Sequence, residues 1–212
     1  MIVPWGTDAP IYHWPWMTVV LIATNVLVFF GVRALPEETV SSLLLAHGAG
    51  LHPLQWIASN FVHADFQHLI GNMIFLWSFA LVVEGKLGAF PFLGTYLGIG
   101  IVQCGLEQAL TLGMTDGGRS FGASAIIYGL MAMALVWAPK NDLNCIAFFR
   151  FSPWIFDMKI AVFALLYIAL EAVLALVSGL VFSSLSSALL HLSGAAIGFV
   201  LGTFLLKMNW VD

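Results

Sequence analysis

A serine hydroxyl becomes a nucleophile once a base takes its proton, and histidine is the side chain best suited to do so near neutral pH. Residues of the types and spacings needed for that chemistry recur along this chain. Ser124 follows Gly122 and Ala123 at the start of an apolar run. It therefore falls at a helix start, where backbone N–H groups lack partners and can stabilise a developing oxyanion. His191 precedes Gly194 by one helical turn, and Gly194 and Gly198 form a small-x3-small face that lets another helix approach closely. His191 thus points toward that neighbour. His68 and Asn72 are four apart and share one helix face, while His63 lies on the segment leading into them. Each feature has an ordinary use. Serine caps helices, small residues pack membrane helices, and a span end tolerates polar groups. Together they supply a nucleophile, a base and oxyanion donors. No Asp or Glu is evident to orient His191, so the spacing predicts a dyad.

The elements that must position these residues follow from composition. Of 212 residues, 61% are hydrophobic and 8% charged, against roughly 45–50% and about 25% in soluble domains. The mean hydropathy is +0.98. Disorder is excluded, because it needs low hydrophobicity and high charge. A soluble globular domain is excluded because so few charges cannot cover its surface. A net charge of −4 without a basic patch excludes nucleic acid as a partner. Cys104 and Cys145 are too few for a disulfide framework. A spanning helix needs about 20 mostly apolar residues, and six segments approach that, near 15–32, 68–83, 90–110, 124–138, 160–182 and 187–206. The expectation is an all-α membrane protein, a six-transmembrane-helix bundle in one domain over residues 1–212. The first segment is not read as a signal peptide, since it lacks a basic start and a small-residue cleavage site. Residues 33–67, with Pro53, His47 and His52 breaking their apolar stretches, read as an interfacial segment, and 139–159 as a loop. With the N-terminus cytoplasmic, that side holds Lys86, Lys140, Arg150, Lys159 and Lys207 and the outer side Arg33 and Arg119. This bias predicts N-in and C-in, so the even-numbered helices start at the outer face.

With these motifs in this order, the chain resembles the rhomboid family of intramembrane serine proteases. That family shows H-x4-H-x3-N on its second helix, G-x-S-G entering the fourth and H-x2-G-x3-G on the sixth. Here they appear as His63, His68 and Asn72; Gly122, Ser124 and Ala125; and His191, Gly194 and Gly198. The resemblance implies Ser124 as nucleophile and His191 as general base and acid. It implies His68, Asn72 and the Ser124 N–H as the oxyanion hole, and Tyr128 as an aromatic packed against the histidine. His63, Gly122, Gly194 and Gly198 would support them. Ala125 stands where the family usually has Gly, which predicts altered packing. The Trp-Arg pair of many members' first loop is missing, since Ile57 follows Trp56, and this bears on how that loop is anchored.

Other polar residues fall inside the predicted spans. Glu171 lies mid-way along the fifth, where a bare carboxylate is expensive. It is expected to be hydrogen-bonded inside the bundle or protonated, and to modulate access through that helix. Gln103 and Glu107 share a face of the third helix and read as its wetter outer end. Asn25 is expected to bond to a neighbouring helix. The leading expectation is an endopeptidase acting on transmembrane protein substrates at the outer face of the bilayer, in a prokaryotic inner membrane. It calls for no cofactor and no metal, since no H-E-x2-H appears. The alternatives are a catalytically silent rhomboid-like protein that binds transmembrane clients, and a transporter using Glu171, Asn25 and Glu107. Oligomeric state does not follow from the sequence.

Overall fold

Apolar runs long enough to cross a bilayer become helices, because only a helix pairs all its own backbone groups there. The computed structural model describes residues 2–115, 117–149, 152–181 and 186–211; Arg150, named above, and residue 182, the end of the fifth expected span, lie outside them. The chain runs through β1 (Ile2–Thr7), α1 (Trp16–Gly31), α2 (Glu37–Leu43), β2 (Leu45–Ala46) and α3 (Gln55–Ala58). It continues through α4 (Phe66–Leu87), α5 (Ala89–Leu110), β3 (Arg119–Ser120) and α6 (Ser124–Trp137). It ends with β4 (Asp142–Phe149), β5 (Ser152–Lys159), α7 (Ile160–Val181) and α8 (Ser187–Lys207). Among the described residues, five helices are long and apolar enough to cross a membrane, and α6 is an apolar helix of 14 residues. The molecule is therefore a multi-pass integral membrane protein built as a helical bundle.

The bundle has two unlike ends. We call "upper" the end where α4, α6 and α8 begin and "lower" the end where they finish. Ten of the 14 residues of α6 are buried, which makes it the central helix. At about 1.5 Å per residue α6 is only about 21 Å long, some 9 Å short of a hydrocarbon core of about 30 Å. Its first residue, Ser124, consequently starts below the upper membrane surface when its lower end reaches the lower one. Glycine sets the fit of α6 to α8. A Cβ at Gly194 would stand 2.0 Å from the Ala125 carbonyl oxygen, and one at Gly198 2.0 Å from that of Gly129, so any side chain there would separate the helices. The Trp137 indole donates to the Gly202 carbonyl at 2.8 Å and closes the lower end of the same contact.

The lower end departs from the expected loop. Residues 142–149 and 152–159 form a hairpin, and β1 joins it as a three-stranded antiparallel sheet in the order β1-β4-β5. Alternation explains it: Leu143 and Cys145 are fully buried while Asn144 between them is not, the period-two signature of a half-buried strand. The Asp142 N–H and the Asn141 amide donate to Asp8 and hold its carboxyl below the usual range. Glu84, in the last turn of α4, is fully buried. It accepts from the Met17 N–H at 2.8 Å, the Thr18 N–H at 2.7 Å and the Thr18 hydroxyl. Pro15, at the head of α1, offers no side-chain cap. Glu84 therefore supplies from another helix the acceptor that an N-cap residue normally provides.

The long first loop is clipped onto α5 at the upper end. The Trp56 indole and the His52 N–H both donate to Gln108 Oε1, at 2.7 and 2.8 Å, and Gln108 Nε2 donates to the Ala46 carbonyl at 3.1 Å. Anchoring without a Trp-Arg pair is thus accomplished through Gln108. Leu54 nevertheless remains 80% exposed, as an interfacial segment allows. Gln103 and Glu107, expected at the wetter outer end of the third helix, are each 3% exposed yet line a polar cavity. Gln103 donates to Glu107 at 2.9 Å, and Glu107 also meets the His47 ring at 2.8 Å and the Ser120 hydroxyl. The Asn25 amide donates to the Leu21 carbonyl of its own helix at 2.8 Å, and its side chain also meets Tyr96 of α5, the neighbouring helix expected to partner it.

Candidate active site

Three helix starts bring the polar residues together at the upper end. Asp65 caps α4 by accepting from the His68 N–H at 2.8 Å, which fixes His68 in the first turn and Asn72 one turn deeper. Gly122 adopts φ +105° just before α6, where a Cβ would lie 2.9 Å from His68 Cε1 and 3.6 Å from Asn72 Nδ2. Glycine is needed there for its conformation and because His68 and Asn72 converge on its open side. The Gly122 N–H donates to the Ser59 carbonyl at 2.8 Å, tying the turn to the first loop. Ser124 is then the first residue of α6, so its N–H has no acceptor within the helix.

The Ser124 hydroxyl and His191 Nε2 are 2.9 Å apart. The Tyr128 ring, one turn along α6, stacks on the His191 ring with centroids 4.6 Å apart and planes 7° from parallel. Asn72 is buried, and among the described residues its Nδ2 has no hydrogen-bond partner. An unpaired buried amide is costly and is suited to receiving an oxygen that is present only during a reaction. His63 is buried, 5.1 Å ring to ring from His68. Burial, with His68 beside it, pushes its imidazole down to about 4, so it is neutral near pH 7. Ser124, His191 and His68 line a cavity of about 280 Å³ whose far wall carries Gln103, Glu107 and His47. On the other side they border a cleft of about 1000 Å³ bounded by Asn72 and Phe75 of α4, Tyr128 and Tyr167.

All nine residues singled out in the sequence lie at this site or on the α6–α8 contact that supports it. Sequence reasoning placed Glu171 inside the bundle but missed its tie to this site. Glu171 Oε1 of α7 lies 2.9 Å from His191 Nδ1 and 2.7 Å from the Tyr128 hydroxyl. The expectation that no carboxylate meets His191 is therefore corrected, while the expectation that Glu171 is hydrogen-bonded inside the bundle matches what is found. The available signal was its cost: a carboxylate in mid-span must find donors, and Tyr128 and His191 are such donors.

Comparison with known proteins agrees with this fold. Residues 50–208 match the rhomboid domain. Over 195 residues the chain is 29% identical to the chloroplastic rhomboid-like protein 11 of Arabidopsis thaliana, covering 88% of this chain and 64% of that one. It is 27% identical over 128 residues to the mitochondrial presenilin-associated rhomboid-like proteins of Bos taurus and Homo sapiens, covering 59% of this chain and 34% of each. The chain thus spans between one third and two thirds of the length of these relatives. Their organellar names lend no support to the expected prokaryotic inner membrane. By the match over most of its length, the chain belongs to the rhomboid family.

Proposed function

We propose that this protein is an intramembrane serine endopeptidase that cuts transmembrane protein substrates near the upper membrane face. One observation carries the reading: the Ser124 hydroxyl lies 2.9 Å from His191 Nε2 on the floor of a cleft where Asn72 Nδ2 has no partner. In the first step His191 Nε2 takes the hydroxyl proton as Ser124 Oγ bonds to the substrate carbonyl carbon. The carbonyl oxygen becomes an oxyanion, with His68, Asn72 and the Ser124 N–H as its donors. Collapse breaks the C–N bond, and His191 returns the proton to the leaving amine. Water then adds to the acyl carbon and gives its proton to His191. Breaking the Ser124 ester releases the carboxylate product and restores the hydroxyl.

The surroundings support each need of this scheme. Water has a polar reservoir in the cavity lined by Gln103, Glu107 and His47. A transmembrane substrate has an apolar approach along the cleft beside Phe75 and Tyr167. A packed helix hides its carbonyls, so substrates with glycine or other helix-destabilising residues near the cut are favoured. Lys86, Lys140, Lys159 and Lys207 sit toward the lower end and Arg33 and Arg119 toward the upper, which favours cytoplasmic termini and an outward-facing site. The test is cleavage of a tagged single-span substrate by the purified protein in liposomes, beside Ser124→Ala and His191→Ala. Cleavage by the unaltered protein alone is expected. Equal cleavage by either folded variant would overturn the reading, and no cleavage of any of several substrates would favour client binding.

A further inference from the structure

Resting on the protease reading, we infer that Glu171 completes the site as a positioning residue, turning the Ser124–His191 pair into a triad whose third member comes from α7. The hydrogen-bond directions require it to act on the ring. For Ser124 to donate to His191, Nε2 must be bare, and a neutral imidazole then carries its one proton on Nδ1. That N–H points at Glu171 Oε1, 2.9 Å away, and the same oxygen accepts from the Tyr128 hydroxyl at 2.7 Å. The Tyr128 ring meanwhile stacks on the imidazole. Ring tilt, ring height and tautomer are thus fixed together by one carboxylate and one tyrosine.

The carboxylate gains importance as the reaction proceeds. When His191 takes the serine proton it becomes a cation within the span, where an uncompensated charge is expensive. Glu171 supplies the opposite charge without moving and without taking a proton; Nδ1–H stays on His191 throughout, as in other serine hydrolases with a buried carboxylate. Among the described residues no other carboxylate bonds to His191. The polar groups lining the same cleft include Ser124 and Tyr128 on α6, Asp65 and His68 at the start of α4, and Ser187 on α8. Glu171 is only 8% exposed, so solvent screens this pairing weakly.

The test compares the unaltered protein with Glu171→Ala and Glu171→Gln in two measurements. The first is nitrogen NMR of 15N-histidine-labelled protein in micelles, which reads the tautomer without any turnover. The second is kcat and KM on a single-span substrate. The expected result is an Nδ1–H tautomer at His191 that becomes a mixture in Glu171→Ala, with kcat down about a hundredfold and KM little changed. Glu171→Gln keeps an acceptor but loses the charge, so the tautomer persists while kcat falls roughly tenfold or more. An unchanged tautomer or an unchanged kcat in Glu171→Ala overturns the inference, as does a loss carried wholly by KM. Should Glu171→Ala fail to fold, an unchanged kcat in Glu171→Gln overturns it equally. If the unaltered protein cuts nothing, the protease reading falls, and the tautomer comparison alone decides whether Glu171 sets the ring.

Discussion

The two halves of the bundle each bury a carboxylate, and they use it differently. At the lower end Glu84 is wholly enclosed and takes two backbone N–H groups and a hydroxyl from the start of α1. Every donor there belongs to the start of α1. In the upper half Glu171 takes one tyrosine and one histidine, and that histidine holds a serine on the wall of an open cleft. A charged group within a span is a functional candidate by default, but the contrast shows that its donors decide the matter. A carboxylate paired with backbone N–H groups builds the fold. A carboxylate paired with a side chain that can itself gain and lose a proton equips a site.

Substitutions that separate activity from stability break or sharpen this contrast. The largest effect is expected for Ser124→Ala and His191→Ala, each lowering cleavage by at least about a thousandfold with the melting temperature in detergent nearly unchanged. Gly194→Ala, on the contact that joins the halves, should lose both properties. Its new Cβ would meet the Ala125 carbonyl, and overpacking costs about 1–3 kcal/mol; thermal melting and cleavage measured on one preparation would show it. Glu84→Ala should be the mirror image of the serine and histidine variants. Leaving the Met17 and Thr18 donors buried and unpaired costs about 1–3 kcal/mol, while cleavage per folded molecule stays at the level of the unaltered protein. A melting temperature unmoved by Glu84→Ala would dissolve the contrast.

The last effect is one of pH. The folded protein holds His63 near 4 against 6.5 for the free side chain. Between those values the unfolded chain binds a proton that the folded one refuses, so stability falls as pH drops from 6.5 toward 4 and is fully kept above 6.5. Melting curves across that range should show the decline, and His63→Asn should flatten it.

The sequence made the bundle legible because the spans are long and apolar, and it made Ser124, His191, His68 and Asn72 legible because each sits at a helix start with a recognisable spacing. Glu171 itself was visible, but its partner was not. Helix α7 is apolar all round, so no polar face sets its rotation, and the pairing with His191 depends on how α7 turns against α8. The lower sheet was hidden for another reason. Strand β1 pairs with β4 across more than a hundred residues, and the alternation of Leu143 and Cys145 is too short to stand out beside spans of similar hydrophobicity. Glu107 and His47 are 60 residues apart and meet only because the first loop folds onto α5, which local spacing does not encode.

For the protein to act as a protease, His191 must make the Ser124 hydroxyl nucleophilic inside the membrane. The most direct measurement is mass-spectrometric mapping of the residue modified by a fluorophosphonate probe in liposomes, for the unaltered protein and for His191→Ala. Modification of Ser124 in the former, and its loss in the latter, is the predicted result. No modification of Ser124, or equal modification in both proteins, would contradict it.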